Sequence, residues 1–388
     1  MMKKLLKEIE LVIKKVWKLI LELPVFRIDN EKIVFDNFNG KGFGCNPKYI
    51  ALELIKKNID CKIIWLVNDM NTDMPKEIKK IKYGSFKAYY ELATAKIWID
   101  NVKNYKGIKK KKKQFYIQTW HASYSPKYLE NDAKNKLNYQ YLRESKKDSK
   151  ETDLFLSNSN IQSIEYRNAF WCTCDILECG YPRNDIFFSE DIDIIKDRIR
   201  YKLNINKNQK IILYTPTFRD NTSINGYGLD CKRLLKNKRF LKDDVLILIR
   251  MHPNIKEYRG LFNFENTKIK DVTNYPDIQE LLLISDILIT DYSTTMFDFS
   301  LMNKEVIIFA EDIDEYKKMR GLKDIYFKLP FTICQNNDEL EKKIEEFDNS
   351  IYQKKLKEFK DKYKAYDKGN ASQIVTEKIQ EIINGGRV

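Results

Sequence analysis

The stretch Asp286-Ile-Leu-Ile-Thr-Asp-Tyr-Ser-Thr-Thr-Met-Phe-Asp298 reads as an apolar strand, a polar elbow and a helix start. A short apolar run closed by polar residues suits a strand buried on both faces of a parallel sheet. Ser293 and Thr294 then fall at the helix N-terminus, where exposed N–H groups and the helix dipole favour a pyrophosphate. Asp298 falls about one helical turn further in, placed to fix a hydroxyl or a neighbouring Arg. The plainer alternative is that Ser293 and Thr294 only cap the helix. The segment alone does not separate the two.

Working outward, the same pattern recurs along the chain. Candidate strands are 32–36, 62–67, 96–101, 114–119, 153–157 and 176–179, then 210–214, 245–250, 267–272, 286–290 and 305–309. Each precedes a helix or turn, and strands separated by helical stretches imply parallel βαβ units. The Asp-, Lys- and Asn-rich region 190–208 divides the two sets. The expected class is α/β, with an amphipathic helix over 1–28 and Rossmann-like domains over 29–195 and 196–388 facing a cleft.

The chain has only two histidines, and both end apolar runs. His121 closes Gln114-Phe-Tyr-Ile-Gln-Thr-Trp-His, and His252 closes Val245-Leu-Ile-Leu-Ile-Arg-Met-His. Open α/β folds place ligands at the carboxyl ends of strands. Imidazole is the side chain best able to take or give a proton near neutral pH. Either residue alone reads as an ordinary loop or core histidine; two in matching positions point to function.

Other strand ends carry polar motifs. Asn39-Gly-Lys-Gly-Phe-Gly-Cys-Asn-Pro47 permits tight turns and anion binding at a helix start. Its spacing is not that of a dinucleotide fingerprint, and the absence of a Walker A sequence disfavours ordinary NTP hydrolysis. In Gly180-Tyr-Pro-Arg-Asn-Asp185, Arg183 offers a planar fork suited to phosphate. In Tyr214-Thr-Pro-Thr-Phe-Arg219, Thr215 and Thr217 are placed to donate to phosphate or ribose. Arg250-Met-His-Pro253 puts two phosphate ligands at one strand end. Asp191-Ile-Asp193 and Asp312-Ile-Asp314 resemble a metal-binding DxD pair, but each lies in a polar stretch. They read as solvated surface or helix caps, and no metal is expected.

The length suggests two domains. A hydrophobic content of 43% is that of a globular chain, and a net charge of +14 favours anionic partners. The seven cysteines form no CxxC pair, and Cys172-Thr-Cys174 is too tight for the usual zinc spacing. Without a recognisable signal peptide, the chain reads as a reducing cytosolic protein with free thiols. Residues 3–23 put Lys and Glu on one helical stripe and Leu, Ile and Val on the other, with Trp17 beside the apolar stripe. That segment is too charged to span a bilayer but suits a helix lying among headgroups; packing on the protein body is the alternative. The run 109–113 reads as a solvated loop that could face lipid phosphates.

Together these motifs resemble the CDP-glycerol glycerophosphotransferases, the teichoic-acid primases and polymerases, from about residue 30 to residue 345. The resemblance rests on the glycine-rich motif, Gln-Thr-Trp-His, Gly-Tyr-Pro-Arg-Asn-Asp, Thr-Pro-Thr-Phe-Arg, Arg-Met-His-Pro and Thr-Asp-Tyr-Ser-Thr. It implies a GT-B architecture with the nucleotide held mainly by the second domain. The implied reaction moves an alditol phosphate from CDP-glycerol or CDP-ribitol to a hydroxyl of a polyprenyl-diphosphate-linked acceptor, without a cofactor. It also implies Trp120 and His121 on the acceptor side, with His121 as general base and His252 as a second catalytic candidate that also binds donor. Arg183, Pro216, Thr217, Arg219, Arg250, Met251, Ser293, Thr294 and Asp298 are the implied donor positions. Two departures stand out: Ala122-Ser123-Tyr124 where the family often shows Gly-Thr-Pro, and Thr294 where a second Ser is usual.

The expected place is the cytoplasmic face of the membrane, on an anionic surface, with no nucleic-acid partner. Two rivals remain: a GT-B glycosyltransferase using a nucleotide sugar, and a non-catalytic basic protein binding nucleic acid or membrane. The sequence leaves open glycerol against ribitol, the acceptor, and primase against polymerase.

Overall fold

The computed structural model describes residues 2–103, 106–219, 226–252, 260–262 and 264–385. It contains two parallel sheets. The first joins β1 (Asp29–Phe35), β2 (Lys62–Val67), β3 (Lys79–Lys82), β4 (Ala95–Asp100), β5 (Phe115–Gln118), β6 (Leu154–Ser157) and β7 (Asp175–Glu178) in the order 3-2-1-4-5-6-7. The second joins β8 (Lys210–Thr215), β9 (Val245–Ile249), β10 (Ile269–Asp271), β11 (Ile287–Thr290), β12 (Glu305–Phe309) and β13 (Thr332–Cys334) in the order 10-9-8-11-12-13. Both are the doubly wound order, which reverses once beside the first strand of each sheet. The reversals fall between β1 and β4 and between β8 and β11. At such a switch point the loops on either side diverge and leave a crevice at the strand ends.

The eleven expected strands are all present, with ends shifted by up to three residues. Two strands have no counterpart in that reading. β3 is the edge strand Lys-Lys-Ile-Lys, whose charges hide it from an apolar search and are common on edges. β13 has only three residues.

The chain divides into two compact units. One comprises 1–121, 137–185 and 366–388; the other comprises 122–136 and 186–365. This corrects the expected boundary near 195, and the chain crosses between units four times rather than once. The physical reason is the last helix, Ala371–Ile383. Its Ala371, Val375 and Ile379 are fully buried in one core with Ile50, Ala51 and Leu54 of the helix Cys45–Lys56 and Phe35, Trp65 and Ile97 of the first sheet. The opposite face of that sheet buries Val34, Ile64, Trp98 and Tyr116 under the helix Phe86–Thr94. Adjacent residues thus serve opposite cores, so the strands read as unbroken apolar runs. The second unit centres on Ile212, Ile247, Ile249, Ile289 and Phe309.

The N-terminal helix Met2–Leu21 is present. It rests on the helix Phe86–Thr94 through Trp17, Lys18 and Leu21, a one-turn spacing that defines a single face. The Trp17 indole donates to the Phe86 carbonyl at 3.1 Å, and the Lys18 ammonium lies 4.1 Å from the Tyr89 ring centre. The apolar stripe is not against the body: Leu6, Ile9, Leu11, Val12, Ile13, Val16, Leu19 and Ile20 are exposed. No helix among the described residues is long and apolar enough to cross a membrane.

Candidate functional site

In the first unit the ends of β1, β4 and β5 converge on His121. Its Nδ1 lies 2.6 Å from the Asn101 carbonyl oxygen. A carbonyl can only accept, so Nδ1 carries a proton, and in the neutral imidazole the lone pair is then on Nε2. The imidazole is held between Trp120, 4.2 Å between ring centres, and Phe38, 5.1 Å away and edge-on. The Trp120 indole N–H is buried and has no hydrogen-bond partner among the described residues, so a donor stands beside the base. Asn101 also fixes the Phe38 side of this cage. Its fully buried side chain donates to the Asn37 amide oxygen and accepts the Phe38 N–H, both at 2.8 Å.

The glycine-rich motif supplies a second brace. Asn46 is fully buried; its amide donates to the Thr119 and Trp120 carbonyls at 3.1 and 3.0 Å and accepts the Arg183 N–H at 3.2 Å. One side chain therefore ties together three separate sequence motifs. It also restrains Trp120 at φ 51°, a left-handed conformation costly for an aromatic residue. Gly40 in the same loop has φ 80°, and a Cβ there would meet the Tyr83 Cβ at 2.8 Å, so only glycine fits.

Beneath the loop, the buried Lys106 ammonium bridges Asp36, at 2.5 Å, and Asp100. Burial pushes the Asp100 carboxyl up to about 7, against the pull of Lys106. Arg183 is buried, with its guanidinium over the Tyr181 ring at 4.8 Å and one nitrogen 3.5 Å from the Cys45 sulfur.

In the second unit the loops after β8, β9 and β11 lie at the switch point. Asp291, in the loop after β11, organises the loop after β8. Its carboxylate accepts the Thr217 N–H at 2.9 and 3.0 Å and the Thr217 hydroxyl at 2.8 Å. Arg219 bonds Asp291 at 2.8 Å and grips Asp312 with two nitrogens at 2.6 and 3.0 Å. Tyr227, Tyr292 and Tyr316 surround the guanidinium. Burial opposes its charge, yet Asp291 and Asp312 outweigh burial and raise its pKa above the ordinary value.

Arg250 differs. One terminal nitrogen donates to the Tyr275 carbonyl at 3.2 Å, while its buried Nε has no hydrogen-bond partner among the described residues. Burial lowers its pKa, only partly offset by Asp277. A cation in this condition is suited to an anion that completes its hydrogen bonds. His252 is exposed, its ring 5.9 Å from that of Phe218. Pro253, which closes the motif, lies outside the described residues.

The geometry sets several of the expected donor residues against other groups of the protein. The Met251 side chain is 1% exposed and belongs to the apolar core, and its N–H donates to the Thr273 hydroxyl at 3.1 Å. Pro216 is buried as well. Arg219 and the Thr217 hydroxyl are engaged by carboxylates and brace the loop. Asp298 accepts the Ser123 hydroxyl at 2.7 Å and the Gln279 amide at 3.0 Å. It does fix a hydroxyl, but one belonging to the protein. The helix after the elbow is short, Thr295–Ser300. Ser293 Oγ accepts the Thr295 N–H at 3.3 Å, which is the capping alternative; Thr294 makes no capping bond. Asp312 is buried on Arg219 and is not solvated surface, whereas Asp193 is exposed.

Sequence reasoning passed over Asn46, Asn101, Ser123 and Asp291. Asn46 and Asp291 lay inside quoted motifs, but a buried amide or carboxylate that organises loops has no signature separate from one that meets a ligand. A basin of about 830 Å³ lies at the opposite, amino-terminal ends of β4 and β5, lined by Arg27, Lys96, Lys111, Lys112 and Lys113 among others. It is remote from His121, and the hydrogen-bonding geometry above identifies the candidate site instead. Among the described residues no three His, Cys, Asp or Glu side chains gather to hold a metal.

Residues 18–381 match the family model described as CDP-glycerol:poly(glycerophosphate) glycerophosphotransferase. A teichoic acid poly(glycerol phosphate) polymerase of Staphylococcus epidermidis is 36% identical over 92% of this chain, which spans 52% of that protein's length. One of Bacillus spizizenii is 32% identical over 92% of this chain and 95% of its own. A solved structure of the wall teichoic acid polymerase TagF soaked with CDPG superposes with a TM-score of 0.84 at 32% identity, covering 99% of this chain and 97% of that one.

Proposed function

The chain belongs to the CDP-glycerol:poly(glycerophosphate) glycerophosphotransferase family, and we propose that it moves an alditol phosphate from a CDP-alditol to a hydroxyl of a lipid-linked acceptor. Glycerol phosphate is the favoured unit, since the family model and both polymerases described above carry that name. The observation that carries the reading is the orientation of His121, whose Nδ1 donates to the Asn101 carbonyl at a strand end, beside an indole donor with no partner among the described residues.

In the proposed reaction the acceptor hydroxyl attacks the β-phosphorus of the donor, the P–O bond to CMP breaks, and CMP leaves. His121 Nε2 takes the hydroxyl proton, which typically contributes about 10²–10⁴-fold. The Trp120 N–H orients an oxygen of the acceptor. Arg250 completes its hydrogen bonds on a donor phosphate, with His252 and the elbow residues Ser293 and Thr294 on the same ligand. Arg219, Asp291 and Asp298 hold the loops that present them, which preorganises the site before charge develops.

The N-terminal helix supports peripheral attachment to the cytoplasmic face of a membrane. Its apolar row points away from the protein, an arrangement that gains free energy only when something else covers it. The lysine-rich basin at the amino-terminal ends of β4 and β5 suits anionic headgroups.

The test is to incubate the protein with CDP-glycerol or CDP-ribitol and lipid-linked acceptors and weigh the products. Acceptors should grow by glycerol phosphate, and His121→Ala should abolish growth while donor binding by calorimetry is retained. A protein that leaves both CDP-alditols intact but transfers from a UDP- or GDP-sugar would overturn the proposal.

A further inference from the structure

Cys172 and Cys174 have no part in the reaction above. Their sulfur atoms lie 3.4 Å apart at the loop entering β7. One Arg167 guanidinium nitrogen sits 3.6 Å from the Cys172 sulfur, and it also bonds the carbonyls of Cys172 and Cys174. Thiolates form where a cation and a hydrogen-bond donor stabilise them. The Cys174 thiol bonded to Cys172 lowers the latter's pKa below the ordinary value; burial works against this and the Arg167 charge adds to it. Other cysteines go the opposite way. Burial pushes Cys61 up to about 11 and Cys231 and Cys334 up to about 12, and it raises Cys179 as well.

We infer that Cys172 and Cys174 form an oxidisable dithiol whose reactant is a small peroxide, and whose closure slows the transfer reaction. The Cys172 thiolate attacks the peroxide, breaking the O–O bond to give a sulfenic acid and hydroxide. The Cys174 thiol then attacks that sulfur, and the S–S bond forms as water leaves. Overall the two thiols lose two protons and two electrons, and hydrogen peroxide is reduced to two waters. Cys172 is 4% exposed, which excludes a bulky disulfide as the reactant and leaves a small peroxide as the class that fits.

The route to the site is short. The preceding Trp171 is already in a left-handed conformation at φ 51°. Phe170 is pinned by its carbonyl to Lys103 at 3.0 Å and to Ser149 at 2.7 Å, and its ring packs edge-on against Trp120 at 4.9 Å. Closing the disulfide draws the two sulfurs together and reshapes this loop, and Trp120 flanks His121. The effect on transfer rests on the function proposed above; the thiol chemistry does not.

The experiment treats the full chain with increasing hydrogen peroxide, blocks free thiols, digests it and weighs the peptides. Expected first is the Cys172–Cys174 disulfide, before any other cysteine is modified. Cys174→Ser should stop at a Cys172 sulfenic acid trapped by dimedone. In parallel, kcat should fall about tenfold or more on oxidation, since small displacements at a reacting centre are costly, and return with a thiol reductant. The double variant Cys172→Ser/Cys174→Ser should keep its activity under the same peroxide. First modification at Cys45 or Cys61 would overturn the dithiol, and the wild-type peptide map decides this even if the variants misfold. A disulfide that forms with kcat unchanged would overturn the coupling to transfer.

Discussion

Replacing Asn46 with alanine tests whether the glycine-rich motif acts through His121 rather than through a ligand. The side chain donates to the Thr119 and Trp120 carbonyls and accepts the Arg183 N–H, all in a fully buried place. Asn46→Ala removes three hydrogen bonds from buried backbone groups, each loss costing up to about 1–3 kcal/mol, and least at the Trp120 carbonyl, which keeps the Thr119 hydroxyl at 3.1 Å. Water entering the vacated space offsets part of that, so the expected loss of stability is about 3 kcal/mol by urea denaturation. The same bonds hold Trp120 at φ 51°, a conformation that stores about 1–3 kcal/mol. Once released, Trp120 relaxes and carries His121 with it. A shift of about 1 Å at a reacting group can cost about 10²-fold. The kinetic signature is therefore a kcat lowered about 10–100-fold with little change in the donor KM. Asn46→Asp keeps the shape and the acceptor but sets a carboxylate against two carbonyl oxygens, so it should be at least as damaging as alanine. A stability loss under about 1 kcal/mol together with kcat within about threefold of wild type would refute the reasoning.

Three further outcomes are expected. Arg250→Met removes a buried guanidinium whose Nε has no partner among the described residues, so it should weaken calorimetric donor binding about 10–100-fold without lowering the donor-free melting temperature; equal donor affinity would show that no phosphate meets this cation. Burial pushes the Asp148 carboxyl from 3.8 up to about 6, so the folded state holds that proton more tightly than the unfolded chain and stability falls as pH rises from about 4 to about 6. Asp148→Asn should flatten that part of the urea-midpoint profile and stabilise the protein by about 3 kcal/mol at neutral pH, and an unaltered profile would contradict it. Val12→Glu/Leu19→Glu alters two exposed residues of the N-terminal helix, and co-sedimentation with anionic vesicles should drop about tenfold or more, whereas unchanged sedimentation would place the membrane contact elsewhere.

Eleven of the thirteen strands were legible in the sequence because burial on both faces leaves continuous apolar runs, and because the parallel fold puts polar motifs directly after them. That placed His121, Arg250 and His252 at strand ends without coordinates. The amphipathic helix was legible from its period, but not which way it faces, since a stripe of Leu and Ile reads the same against protein or against lipid. Only the tertiary structure decided which polar motif residues meet solvent and which meet each other. In one dimension Arg219 and Asp298 look like ligand-binding groups and Asp312 like solvated surface or a helix cap. In three dimensions their partners, Asp291, Ser123 and Gln279, come from segments up to 175 residues distant in the chain. The same holds for the return of the last helix to the first core, and for Asn46 beneath Trp120. Periodicity is a local property that the chain writes down residue by residue. The pairing of buried polar groups depends on which loops the sheet order brings together, and that is settled only when both cores have formed.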